Sequence, residues 1–447
     1  MSTAALGQTP EGCDFTVTNT NSFGAGSLPQ AIFDANGQAG RDTLCFAIPG
    51  DGPHTIRPSF AMPSVTDTLA IDGISQPGAT CDAWPPQLMI EIDGSTAGGA
   101  TNGLNFDPGS EGSEVRGLVI NRFSRNGINS LADNQVFECN FLGTDVTGMV
   151  DLGNGGDGLQ VNAASGTRIG GTEVGQRNLL SGNGDDGIEL NFGSMAAIVE
   201  GNIIGLTAAG TAALKNDDDG IRVDGSGHRI GGSADGARNV ISGNDGIGIR
   251  ILGSDNRIEG NYVGTDVTGL LAMGNARSGI RIQNVGSNTI GGSNAGAGNV
   301  ISANGDDGVR MFGSETTFTT VQWNIIGLAA DGVTPLGNTS DGVDLNNQVA
   351  FNSVADNVLS SNGAWGLHIY DGASETQVYR NFIGTNPPGD ERGNGFGGIL
   401  VEDAGPQIIG GTYGDVGECC EGNTIAYNAG PGIGVDVTQA ISHEKGL

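Results

Sequence analysis

The feature that most constrains this chain is a phrase that returns about every sixty residues. It reads Gly-Asn-x-Ile-Gly-Thr-Asp-x-Thr-Gly, followed by Gly-Asn and then by Gly-Ile-x-Ile. Its Asn falls at Asn140, Asn202, Asn261, Asn324 and Asn381, at spacings of 62, 59, 63 and 57 residues. Between copies runs a second phrase, Ile-Gly-Gly and then Gly-x-x-Asn-x-Ile-Ser-Gly-Asn, which ends in another Gly-Ile-x-Ile. A sustained period of this kind specifies stacked units, each burying its hydrophobic face against its neighbours.

The Gly-Ile-x-Ile cores give a finer unit. They begin at Gly158, Gly187, Gly220, Gly248, Gly279, Gly308, Gly342, Gly366, Gly398 and Gly432, between 24 and 34 residues apart, with weaker matches near Gly117 and Gly127. The cores alternate apolar and other residues with period two, and Gly, Asn and Asp bracket them, so they read as short strands between tight turns. Strands at this period fit the coils of a parallel β-helix, each pairing with the coils above and below at roughly 4.8 Å. The expected architecture is therefore an all-β solenoid of about 12–14 coils. Ile188, Ile221, Ile249, Ile280 and Val309 are expected to stack in one interior column, and Leu190, Val223, Ile251, Ile282 and Met311 in the next. Asn recurs at fixed corners, at Asn178, Asn239, Asn299, Asn357 and Asn423. Stacked carboxamides there can satisfy turn backbone groups from coil to coil. The 81 glycines follow no Gly-X-Y period, which excludes collagen.

The N-terminal part departs from the repeat. The stretch from Ser27 to Gly37 carries an N-cap Ser, an early Pro and a terminal Gly, and predicts a short amphipathic helix that plugs the open end of the solenoid. Strands are expected around Thr43–Ile48, His54–Arg57, Thr68–Ile71 and Gln87–Ile92. Residues 1–110 thus read as a cap with irregular first coils, and 111–447 as regular repeats of one solenoid. The last residues, from Ile441 to Leu447, look like the start of a further coil, so a longer parent chain is expected.

A net charge of −31 argues against non-specific binding to nucleic acid or anionic membranes. No apolar run is long enough to span a bilayer. There is no signal peptide, and the opening Met1-Ser2-Thr3-Ala4 reads as a start that replaces a removed leader. Six cysteines agree with an oxidising compartment. Cys13 and Cys45 are candidates for a clasp on the cap, and Cys419-Cys420 for a vicinal bridge; Cys139 reads equally well as a buried free thiol. No Cys/His spacing suggests zinc.

The chain resembles bacterial secreted or cell-surface β-helix repeat proteins of the pectin-lyase-like superfamily. The resemblance is carried by Gly26-Ser27-Leu28-Pro29-Gln30-Ala31-Ile32 with Arg41-Asp42-Thr43-Leu44-Cys45-Phe46, by Ile230-Gly231-Gly232 through Asn244, and by Gly264-Thr265-Asp266-Val267-Thr268-Gly269. Pro29 stands where such openings usually carry Arg. The resemblance covers nearly the whole chain and implies a right-handed β-helix at the cell surface or outside the cell. Most relatives in the wider superfamily act on polysaccharides, an analogy of fold alone.

Chemistry is sought at the outward x position of Gly-Ile-x-Ile, which reads Gln160, Glu189, Arg222, Arg250, Arg281, Arg310, Asp344, His368 and Leu400 in coil order. Four successive Arg are not a turn requirement, and adjacent guanidiniums one coil apart repel by about 1 kcal/mol in water. Asp219, Asp224 and Asp307 are candidates to pair with the outer two. Because Arg binds carboxylate or sulfate in bidentate fashion, the row suggests a groove for an acidic glycan, with Glu189 beside it and Phe312 and Tyr370 as sugar platforms. A solvated Arg ladder with nearby loop carboxylates is the competing account.

A second set is the Asp that precedes each strand Gly: Asp157, Asp186, Asp219, Asp307 and Asp341. Asp307 and Asp341 would lie one coil apart near Arg310, Asp344 and His368, a candidate pair of carboxyl groups for glycoside hydrolysis. Asn338-Thr339-Ser340-Asp341 is faintly similar to the Asn-Thr-Asp of polygalacturonases, but the Asp pair and the Gly-His-Gly that should follow are missing. Since Asp-Gly recurs on five coils, a turn role explains these residues better. A lyase would instead use Arg281 or Arg310 with Tyr370. For calcium, Asp217-Asp218-Asp219 has ligand density in a single loop, whereas Asp145 and Asp266 fit Asx-turns better.

Two functions are therefore weighed. One is an extracellular β-helix that engages a polysaccharide, with an acidic one as the candidate, along the Arg face, cleaving it as a lyase or glycoside hydrolase if it is an enzyme. The other is a non-catalytic, structural or adhesive segment of a large surface protein. The sequence leaves the oligomeric state open.

Overall fold

The computed structural model describes residues 12–294, 296–410 and 422–436. They fall into two compact units that divide between Ile249 and Arg250. Each unit is built from coils of three short strands, and every pairing between successive coils is parallel. One coil of the first unit, for example, comprises Ile198–Glu200, Ile203–Ile204 and Ile221–Val223. The three strands of a coil belong to three different sheets.

Register holds the expected columns. On the third sheet of the first unit, Ile128 pairs Leu159, Leu159 pairs Ile188, and Ile188 pairs Ile221. In the second unit, Ile280 pairs Val309, Val309 pairs Val343, Val343 pairs Leu367, and Leu367 pairs Ile399. All of these are fully buried. Alternation places these apolar side chains inside and leaves the x residue between them outside, because successive side chains of a strand face opposite ways. The match at Gly127 belongs to this series, since Ile128–Ser130 lies on the third sheet. The match at Gly117 does not: Leu118–Asn121 pairs with Ile90–Asp93 on the second sheet.

The corners are held by asparagine ladders. Asn178 Oδ1 accepts from the backbone N–H of Asn140 at 2.9 Å, and its Nδ2 donates to the carbonyl of Phe137 at 2.8 Å. The same pattern runs through Asn202 and Asn239, and in the second unit through Asn299, Asn324, Asn357, Asn381 and Asn423. The Asn residues of the two alternating phrases therefore occupy one corner, and each sixty-residue period is two coils. A second ladder, Asn154–Asn183–Asn216 and Asn304–Asn338–Asn362–Asn394–Asn428, comes from the Asn that stands four residues before the Gly of each Gly-Ile-x-Ile core. Each step satisfies two buried backbone groups that the turns would otherwise orphan.

At the N-terminal end the helix Leu28–Ala35 forms as expected, with Ser27 Oγ accepting from Gln30 N–H and Pro29 in the first turn. It buries Leu28, Ala31, Ile32 and Ala35, and packs on the strands Phe15–Val17 and Asp42–Phe46. Strands Asp42–Phe46, His54–Ile56, Leu69–Asp72 and Ile90–Asp93 lie where the sequence placed them. Disulfides join Cys13 to Cys45 and Cys81 to Cys139, so Cys139 is not a free thiol. Cys419, Cys420 and the segment from Ile441 to Leu447 lie outside the described residues. Among those residues, no helix is long and apolar enough to cross a membrane.

Candidate functional site

The Asp before each strand Gly forms a third ladder, parallel to the asparagines. Asp157 Oδ1 accepts from the N–H of Asp186 (3.1 Å), Asp186 Oδ1 from that of Asp219 (2.8 Å), and Asp219 Oδ1 from that of Ile247 (2.7 Å). In the second unit Asp307 Oδ1 accepts from Asp341 N–H (3.1 Å) and Asp341 Oδ1 from Trp365 N–H (2.7 Å). One oxygen of Asp307 and one of Asp341 are thus engaged in turns, which reduces the pair proposed for hydrolysis to one outward oxygen each.

The Arg row divides. In the first unit Arg222 makes a bidentate pair with Asp224, at 3.0 Å for both bonds, and lies 3.7 Å from Glu189. Glu189 also accepts from Gln160, so both residues are engaged in a local network. In the second unit Arg250 lies on the strand Ile249–Ile251, Arg281 pairs in register with Arg310, and the Arg281 guanidinium sits 5.5 Å above the Phe312 ring.

Arg310 begins a dense cluster. Its neighbours across the sheet follow in register as Asp344 and His368. The guanidinium lies 3.8 Å from Asp306, 3.9 Å from Asp307 and 3.9 Å from Asp344. His368 Nδ1 lies 3.3 Å from Asp341 Oδ2, its Nε2 lies 3.7 Å from Glu402, and its ring stacks on Tyr370 with centroids 4.2 Å apart. Asn346 Nδ2 donates to Asp344 and reaches Tyr370 Oη at 3.1 Å. Every residue the sequence offered as catalytic (Asp307, Asp341, Asp344, Arg310 and His368) therefore meets here, together with Tyr370. Sequence reasoning missed Asp306, although the Asp-Asp-Gly doublet at Asp306-Asp307 was its signal.

Burial shapes the proton affinities. Desolvation, reinforced by Asp344 and Asp306, pushes Asp307 up to about 7. Asp344 rises to about 6 because burial outweighs the opposing Arg310 charge. Burial pulls the His368 imidazole down, but its bond to Asp341 and the charges of Asp344 and Glu402 outweigh that, and the net shift is upward. Burial and the Asp344 charge raise the Tyr370 phenol. The cluster thus sets carboxyl groups that exchange protons near neutrality beside an imidazole and a guanidinium, the materials of general acid–base chemistry.

The expected calcium loop is redistributed. Asp217 is exposed and ion-pairs with Lys215 at 3.3 Å, whereas Asp218 and Asp219 gather with Asp186 of the preceding coil. Oxygens of these three lie within 4.8 Å of one another, as do the donor atoms of Asp341, Asp344 and His368. Asp145 and Asp266 close their loops instead: each accepts from a Thr hydroxyl two residues on and from two backbone N–H groups.

No protein-family model and no curated sequence matches the chain. Among solved structures, the A-module of mannuronan C-5 epimerase AlgE4 from Azotobacter vinelandii is similar at 16% identity with a TM-score of 0.54, over 92% of this chain and 100% of that one. The A-module of AlgE6 from the same organism is similar at 14% identity with a TM-score of 0.51, over 96% of this chain and 100% of that one. At these identities the likeness is one of fold, and the fold is the right-handed parallel β-helix.

Proposed function

We propose that the third-sheet face of the second unit engages an extracellular, carboxylate-bearing polysaccharide, and that the cluster from Arg310 to His368 carries out proton transfer on it. The observation that carries this reading is the in-register row Arg281, Arg310, Asp344 and His368, with Phe312 and Tyr370 beside it. The solved neighbours add a substrate class, since both are mannuronan C-5 epimerases.

Lyase and epimerase chemistry both begin by removing the hydrogen on the carbon next to the carboxylate. That step needs a cation opposite the carboxylate and a base within reach of the hydrogen. Arg281 or Arg310 would supply the cation, His368 the base, and Tyr370, whose phenol holds its proton, the acid that returns one. Hydrolysis would use Asp344 as acid, with its raised proton affinity, and the outward oxygen of Asp307 or Asp341 as its partner.

The test is product analysis by mass spectrometry and proton NMR on acidic and neutral polysaccharides, with and without calcium. Unsaturated ends, inverted C-5 centres or shortened chains are expected from one acidic substrate. Arg310→Ala, His368→Ala and Asp341→Asn should each lose product by 100-fold or more, with unchanged circular dichroism. Silence across the panel overturns catalysis. The second reading, an adhesive or structural segment, would then stand, and the turn bonds that engage Asp307 and Asp341 favour it. Retained binding without product would mark that outcome.

A further inference from the structure

The outer surface of the first sheet changes character along the chain. In the first unit its outward positions are charged and paired: Arg116 with Asp72 at 2.9 Å, Glu138 with Arg168 at 2.8 Å, and Glu200 with Arg229 at 2.8 Å. In the second unit the strand Arg257–Glu259 continues this style. The next five strands of the sheet, Thr289–Gly291, Thr320–Gln322, Ser353–Ala355, Gln377–Tyr379 and Ile408–Ile409, contain no charged residue. Their outward positions include the hydroxyls of Thr289 and Thr320 and the amides of Gln322 and Gln377, while the Ser353 hydroxyl is buried.

Exposed aromatic rings stand at both margins of this floor. On one side Phe318 and Phe351 are 65% and 54% exposed, and their rings stack at 5.6 Å and 11°. On the other, Trp323 is 53% exposed. Tyr379 follows two coils on, with the Arg380 guanidinium 4.6 Å over its ring and paired with Asp356 at 2.7 Å, so this margin carries no net charge. Trp323 stands five positions after Phe318, roughly 16 Å at the rise of a strand.

Phe318, Trp323 and Phe351 all have left-handed backbones, with φ of 53°, 60° and 58°. Bulky side chains disfavour that region, and where one is held in it a functional reason is worth seeking. The turn does not require a ring. Ser287 and Asp356 serve at the equivalent turns of neighbouring coils with φ of 60° and 58°. Burial does not require one either, since the rings face solvent.

We propose that this face is a binding surface for an uncharged polysaccharide chain. The five floor strands offer no cation to a polyanion, whereas a neutral glycan needs none. Its hydroxyls pair with the Thr and Gln side chains, and its apolar C–H faces lie against the marginal rings, as amphipathic ligands do on aromatic surfaces. The surface is separate from the Arg310 cluster, takes ligands of opposite chemistry, and does not depend on that cluster's function.

The experiment is native affinity electrophoresis in gels containing laminarin, glucomannan or xyloglucan, with alginate as the charged control. Retardation of the wild type by at least one neutral glycan is expected. It should disappear in Phe318→Asn/Trp323→Asn and in Phe318→Asn/Phe351→Asn, and persist in Arg281→Ala/Arg310→Ala. Because Asn tolerates left-handed turns, these variants should melt at the wild-type temperature or above it. Absence of retardation by every neutral glycan overturns the proposal, as does equal retardation of the variants. A fall in melting temperature would make the rings structural. A wild type that sediments as a dimer, with monomeric variants, would assign the face to a second copy of the chain.

Discussion

At the scale of single residues, Asp341 shows how one side chain can serve fold and site together. Its Oδ1 holds the N–H of Trp365 and its Oδ2 faces His368. Replacement by Ala orphans the Trp365 N–H and should cost about 1–3 kcal/mol, read from chemical denaturation. Asp341→Asn keeps an acceptor for that N–H and removes only the charge. It should therefore cost less stability but lower the His368 pKa, because Asp341 is the main group raising it. Titration of the imidazole by NMR measures this directly. An unchanged pKa in the Asn variant would mean that Asp344 and Glu402 alone set the imidazole.

At the scale of elements, the corners carry the fold as much as the columns do. Asn299 lies fully buried, bonded to Asn261, Asn324 and the carbonyl of Ile258. Asn299→Ala removes several of these bonds at once, so thermal melts should show a loss of about 2–4 kcal/mol, and Asn299→Asp, which sets a buried carboxylate oxygen against the Ile258 carbonyl and Asn324 Oδ1, should show at least as large a loss. The strands and corners were legible in the sequence because each coil repeats them, so Gly158 and Gly308 read alike. The x-position row was legible for the same reason: alternation alone places Arg310, Asp344 and His368 on one outer face. What could not be read was partner choice. Nothing in Asp217-Asp218-Asp219 says that the first turns to Lys215 and the others to Asp186, because that depends on which coil lies beneath. The cross-coil reach of Asp307 and Asp341 Oδ1 was likewise hidden, and it is what changes the reading of a catalytic carboxylate pair. Phe318 and Phe351 escaped notice because they sit in turns, outside any strand pattern.

At the scale of the whole molecule, acidity and burial together set the pH dependence of stability. Desolvation, with the charges of Asp219 and Asp157, raises Asp186 to about 9 from 3.8, and burial beside Glu189 raises Asp157 as well. Asp307 and Asp344 shift in the same direction. Each of these groups binds its proton more tightly in the folded chain than in the unfolded one. Their stabilising contribution is complete below pH 3.8 and is lost as pH rises, fully so for Asp186 only above about 9. The net charge of −31 acts in the same direction, since self-repulsion grows as carboxyl groups ionise. Asp93 opposes them: burial raises its proton affinity, but its bonds to Ser95 and Arg57 outweigh that, so its contribution is lost only when pH falls below the ordinary carboxylate range. The melting temperature should therefore be highest on the acid side of neutrality and fall steadily toward pH 9. Asp186→Asn retains an acceptor for the Asp219 N–H and removes the ionisation, so it should flatten the profile and melt higher than wild type at pH 8.5. Calorimetric scans from pH 4.5 to 9 decide the matter. Parallel profiles for wild type and variant would mean that Asp186 is not the group whose proton the fold retains.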